Sequence, residues 1–348
     1  MKKPLHLISC IPNSPQFLWE TANNLYNQRK YGLSNKARVL IFLTNSSLSQ
    51  GFDSRWKFLE HRFPEVKFFY YKDLANIERV IRAFNYIPLL RPWLLEQHWK
   101  EFPELQNGVI YYHDSDTVFT NFPNFLRDLK DDSTCYLSDT KSYLNYDYLI
   151  GKKKDAKIQE FDSQKVVNKL ETILGIPEGT FLKNNNSTGG AQYLLKNIDI
   201  QFWKDVFNNS IEIRSYLSDI NKRFFESEDA GYQSWCADMW AVLGNLWKRE
   251  FEVKTPKEMD FCFATDSVDK WDEKIIYHDA NASPKPIKIG DTYHRTFWKK
   301  GPENSYTKGW ESDELRSPFD DDLSFVSKEL CSSKYVECLL ETKKYLLL

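Results

Sequence analysis

Apolar and polar positions come in blocks along the chain. Residues 5–10 form a short apolar run that stops at Pro12-Asn13-Ser14-Pro15, the pattern of a strand followed by a loop. Over residues 16–29, Phe17, Leu18, Ala22, Leu25 and Tyr26 recur at near-helical spacing, which predicts a helix with a buried stripe. Residues 38–44 (RVLIFLT) are almost wholly apolar, as in a buried strand. A helix is predicted over 54–63 and a third strand over 67–71 (KFFYY). Helical stretches over 77–85 and 90–100 are separated by Pro88, and residues 108–113 form a fourth strand.

Strands alternating with helices through short connections predict an α/β fold. It has a mostly parallel sheet, a Rossmann-like N-terminal half, and helices on both faces. In such sheets ligands bind beyond the carboxyl ends of the strands, and Asp114 and Asp116 follow the fourth strand directly. Beyond them the pattern is less regular. A short helix is predicted over 123–130, a strand over 135–138 and a mobile Lys-rich loop over 141–162. A helix over 166–174 follows, then a loop over 184–190 entering a strand over 191–195, and a long helix over 229–248. The charged tail ends in an amphipathic stretch over 333–348, and there is no internal repeat. The organisation expected is a catalytic domain over 1–300 with a C-terminal extension over 301–348 packed on or near it.

Composition narrows the classes. The 348 residues suffice for one large α/β domain or two ordinary ones, and 16% aromatic residues favour a globular protein. Forty-seven basic residues balance forty-nine acidic ones, so no strong field draws the chain to nucleic acid or an anionic membrane. The six cysteines are scattered without a CxxC pair, which points to reduced thiols rather than zinc or disulfides. No segment has the length of a membrane span. The opening run resembles a lipoprotein signal only faintly and is broken by His6, so it reads as a strand; a cytoplasmic protein is expected.

Five places along the chain carry candidate chemistry. Two carboxylates one residue apart, Asp114 and Asp116, can share a divalent cation such as Mg²⁺ or Mn²⁺, leaving positions for phosphate oxygens. Gly189-Gly190 allows close backbone approach to a ligand, beside small polar side chains and Gln192. Asp238 stands within the apolar run Trp235 to Ala241, where an acid needs a partner or a task. His278 directly follows a short apolar strand and His294 lies just before Thr296-Phe297-Trp298; a histidine at a strand end can complete a cation shell.

In this order, residues 5–300 resemble a GT-A-fold glycosyltransferase with a DxD motif. Ile8-Ser9-Cys10 and the helix holding Trp19 look like the first nucleotide-binding unit, and Tyr86 to Trp93 like the segment before the metal strand. Gly189-Gly190-Ala191-Gln192 with Phe202-Trp203 resembles the sugar-contacting strand and helix. The resemblance implies a nucleotide-sugar donor, most often a UDP-sugar, bound through Mn²⁺ or Mg²⁺, and a hydroxyl acceptor. It implies metal binding by Asp114, Asp116 and His278, the last preferred to His294 because it follows an apolar strand. Donor contacts would come from Ser9, Cys10, Ile11, Arg91, Asp114, Ser115, Asp116, Gly189, Gly190 and Gln192, with Lys299 or Lys300 on the diphosphate. Asp238 would hold sugar hydroxyls or act as general base, with Glu228 and Asp229 as competitors. The chain departs from the family in having His113 before the first acid and in lacking an HxxGxxKPW element. The acceptor stays open: a glycan, a lipid-linked sugar, a protein side chain or, as the one role for nucleic acid, a hydroxymethylated DNA base of viral type. Retention or inversion also stays open. The rivals from other classes are a nucleotidyltransferase, though the chain has no GxxxxGK[ST] loop, and a non-catalytic carbohydrate-binding protein.

Overall fold

A computed structural model describes residues 3–43, 55–158, 160–227, 230–298 and 317–347. The protein is mixed α/β, and its central strands are mostly parallel. It divides into two compact units. Unit I comprises Met1–Leu5, Leu74–Tyr112 and Leu129–Lys257, and unit II His6–Asp73, His113–Asp128 and Glu258–Leu348.

Unit II begins with the predicted alternation. β1 (Leu5–Pro12) leads through α1 (Pro15–Lys30) to β2 (Ala37–Leu43), and α2 (Arg55–Arg62) leads to β3 (Lys67–Lys72). Pro15 suits the first helical turn, where its missing N–H would have no partner in any case. β1 pairs parallel with β2, and β2 parallel with β3. β5 (Thr117–Phe119) and α5 (Phe125–Asp128) follow the acidic pair. A small sheet then sets β10 (Ile276–His278) antiparallel to β5 and parallel to β9 (Phe261–Phe263), with α12 (Asp269–Glu273) between β9 and β10. β11 (Ile287–Ile289) and β12 (Thr292–His294) form an antiparallel pair, and the unit ends in α13 (Cys331–Leu346). Trp19, Trp56, Phe63, Tyr277, Phe297 and Tyr335 fill its core. α13 lies along α1, with Tyr26 and Tyr345 rings 5.1 Å apart and the Thr342 hydroxyl donating to Asn23 Oδ1 at 2.8 Å.

In unit I, α3 (Ile77–Phe84) and α4 (Leu90–Glu101) precede β4 (Val109–Tyr112). β6 (Cys135–Asp139) is followed by α6 (Lys141–Leu144), α7 (Tyr146–Gly151), α8 (Ser163–Leu174) and α9 (Thr180–Lys183). Then come β7 (Gly189–Lys196), α10 (Ile200–Phe224), α11 (Ala237–Lys248) and β8 (Val253–Lys254). β7 runs antiparallel to both β4 and β6, and β6 pairs parallel with β8. All eight residues of β7 are buried. α10 packs on α4 and α11, and Trp99 meets Trp203 edge to face at 5.5 Å.

Three elements differ from the sequence pattern. Residues 141–155 are short helices rather than a loop: the Asn145 side chain accepts from Tyr148 N, and the Leu144 and Leu149 carbonyls accept from Trp240 Nε1 and the Tyr232 hydroxyl. The 25-residue α10 is absent from the predicted elements, because its inward stripe includes Ser210 and Asn221, which break the apolar period. The helix predicted to start at residue 229 starts at Ala237, after a tight turn over Ser234–Cys236.

No helix among the described residues is long and apolar enough to cross a membrane. All six cysteines are free.

One buried acid closes the loop between α8 and α9. Glu171 accepts from Gly179 N and Phe181 N, each at 3.0 Å. Glu171→Ala orphans both donors and is expected to cost about 2–5 kcal/mol, read as a lower midpoint in urea unfolding with an unchanged slope.

Candidate cation site

β4 ends at Tyr112, and the chain turns through His113-Asp114-Ser115-Asp116 into β5. β5 pairs with β10 in a register that sets Thr117 opposite His278, so the last residue of β10 arrives beside the acidic pair. Asp279 N donates to the Asp116 carbonyl at 3.0 Å and locks that register just past the strand. His278 Nε2 lies 3.3 Å from Asp116 Oδ1 and 3.8 Å from Asp114 Oδ2. One ligand atom from each of Asp114, Asp116 and His278 falls within 4.8 Å of the others.

The donor set suits a divalent cation. Ligands about 2.1 Å from a small octahedral ion stand about 3.0 Å apart when adjacent and about 4.2 Å apart when opposite, and both histidine distances fall between. Two carboxylates and one imidazole match Mn²⁺ well, and Mg²⁺ less well because of the nitrogen. The Asp116 side chain is 8% exposed and that of Asp114 25%, so the site is walled on one side and opens on the other. His294 stands elsewhere, with Nδ1 3.6 Å from Glu329 Oε2.

The loop is held from behind by α1. Ser115 Oγ donates to Glu20 Oε2 at 2.8 Å, and Gln16 Nε2 donates to Glu20 Oε1 at 2.9 Å. Asn24 Nδ2 donates to the Thr117 carbonyl at 2.7 Å. Asn27 pairs with both backbone groups of Phe119 at 2.8 Å. His113 Nδ1 lies 2.9 Å from the Asp114 carbonyl, and its Nε2 lies 3.2 Å from Gln28 Nε2. Burial holds the His113 imidazole below its ordinary value, against the upward pull of the Asp114 carbonyl and the two aspartates. A neutral ring that donates from Nδ1 and accepts at Nε2 satisfies both contacts. The sequence pattern does not single out Glu20, Asn24, Asn27 or Gln28. Their signal is a polar stripe at helical spacing on the helix whose other side carries Leu18, Trp19, Ala22 and Leu25.

The remaining site residues named from the sequence fall in separate places. Ser9, Cys10 and Ile11 are buried on β1, one residue beyond Ile8, whose carbonyl accepts from His113 N at 3.1 Å. In unit I, Arg91 and Asp238 come together, with Nη2 2.5 Å from Oδ2. The Tyr86 hydroxyl donates to Asp238 Oδ1 at 2.6 Å and accepts from Asp238 N at 2.8 Å. Burial first, and then the Asp238 charge, push that hydroxyl well above the ordinary phenol range. Asp238 sits in the first turn of α11, where the helix dipole favours a carboxylate. Gln192 Oε1 accepts from Ser138 Oγ at 2.8 Å. Glu228, Asp229, Lys299 and Lys300 lie outside the described residues.

Gly189 and Gly190 stand inside β7, and their missing side chains make room for protein. A Cβ on Gly189 would lie 2.6 Å from the Ser138 carbonyl oxygen, and one on Gly190 2.4 Å from Met239 Cε. Gly189→Ala presses on backbone and is expected to cost about 1–3 kcal/mol by overpacking, measured as a lower melting temperature.

No family model matches the chain, and no curated protein matches its sequence. Among solved structures, one match is the bifunctional glycosyltransferase WbbM in its apo form, with 10% identity and a TM-score of 0.44. The match covers 82% of this chain and 47% of that one, so the chain spans about half the length of WbbM.

Proposed function

We propose that the protein is a glycosyltransferase that moves a hexose from a nucleotide sugar, a UDP-sugar in the first instance, to a hydroxyl of a glycan acceptor, and that it works with Mn²⁺ or Mg²⁺. The observation that carries this reading is the convergence of Asp114, Asp116 and His278 directly after a strand, with the Asp114 side open.

Asp114, Asp116 and His278 would hold the cation. When bound, such an ion neutralises charge developing on a departing diphosphate. The chain's own part is to fix the three ligands. β5 and β10 set the histidine against the acids, and α1 keeps their loop from relaxing.

Asp116→Ala and His278→Ala are each expected to lower Mn²⁺-dependent release of UDP from UDP-hexoses about a hundredfold or more, since stabilising a leaving diphosphate is worth several kcal/mol. His294→Ala should leave the rate within a few-fold. EDTA should abolish the release and added Mn²⁺ restore it. A metal-independent rate, or equal losses in the two histidine variants, would sink the proposal.

A further inference from the structure

One buried acid of unit II is not among the residues proposed to hold the cation. Glu20 is 1% exposed and lies in the middle of α1. Its two oxygens accept from Gln16 and from Ser115, the residue between the two candidate metal ligands. Burial first, and then the charges of Asp279, Glu20 and Asp116, push the buried Tyr335 hydroxyl well above the ordinary phenol range. A charge taken out of water acts on its neighbours more strongly than a solvated one.

We infer that Glu20 is a positioning residue of the cation site, which through Ser115 fixes the turn between Asp114 and Asp116 and through its buried charge raises the affinity for a divalent cation. The inference rests on the cation reading above and extends it by one shell. A hydroxyl bond to a carboxylate is stronger than one to a neutral acceptor, so it restrains Ser115 more tightly than a neutral partner would. It is also anchored to a regular helix of 16 residues rather than to another loop. Groups that hydrogen-bond metal ligands directly are worth about 10–100-fold in affinity in other proteins, and Glu20 acts through Ser115, the residue between two of the candidate ligands.

The test is a calorimetric titration of the full chain with MnCl₂ and no donor, so that catalysis plays no part in the readout. Wild type, Glu20→Gln, Ser115→Ala and the double variant are compared. Glu20→Gln keeps the size and an acceptor oxygen but removes the charge. It should weaken Mn²⁺ binding by about tenfold or more. Ser115→Ala should also weaken it, and the double variant should lose less than the two single effects combined, since both act through one contact. Asn24→Ala serves as a control, because it frees the Thr117 carbonyl without removing a charge. It should cost less than Glu20→Gln.

Wild-type affinity in Glu20→Gln overturns the inference, as does an Asn24→Ala loss as large as that of Glu20→Gln. If Glu20→Gln fails to fold by circular dichroism, Ser115→Ala decides, and unchanged affinity there overturns the inference. A wild-type chain that takes up no Mn²⁺ overturns the cation reading itself, a result distinct from all of these.

Discussion

The side chains of Glu20, Asn24, Asn27 and Gln28 form a buried polar stripe on α1, with half-buried Gln16 at its start, and residues 113–119 are hydrogen-bonded to it almost group by group. The other side of the helix packs Leu18, Trp19, Ala22 and Leu25 into the core of unit II. A helix buried on both sides has little freedom. Sliding it would orphan several buried donors and acceptors at about 1–3 kcal/mol each while opening gaps around Trp19. The acidic turn therefore inherits the rigidity of a regular element, although it is itself irregular backbone. β10 joins the arrangement through β5, which the same helix holds.

The parts of the fold legible in the sequence are those where one physical rule dominates. Leu5 to Pro12 and Ala37 to Leu43 are apolar because parallel strands are covered on both faces, and they stand where the hydrophobic runs predict them. Asp114 and Asp116 were legible because an acidic pair just past an apolar strand is a chemical pattern as well as a structural one. The choice of His278 over His294 rested on the apolar residues before it, and those residues are the strand that brings it to the pair.

What escaped the sequence is where polar residues do the work of apolar ones. α10 buries Ser210, which bonds back to the Val206 carbonyl, and Asn221, which pairs with both backbone groups of Tyr232. A periodicity that counts only apolar residues passes over both. The same blindness hid the stripe on α1, because a polar residue at helical spacing reads as a solvated face until a partner 90 residues away is known. At Gly189 and Gly190 the missing side chains leave room for protein, since an added Cβ would meet the Ser138 carbonyl oxygen and Met239 Cε.

The contact between Thr342 and Asn23 joins residues 319 positions apart, and unit II is interrupted twice by segments of unit I. During synthesis the N-terminal strands and α1 leave the ribosome long before β10 and α13 exist. Until those arrive, α1 has no helix to lie along, and the acidic turn has no histidine. The three candidate ligands are thus all present only once β10 has been made. A ribosome that stalls between Leu129 and Lys257 leaves a polypeptide that holds both aspartates and lacks His278.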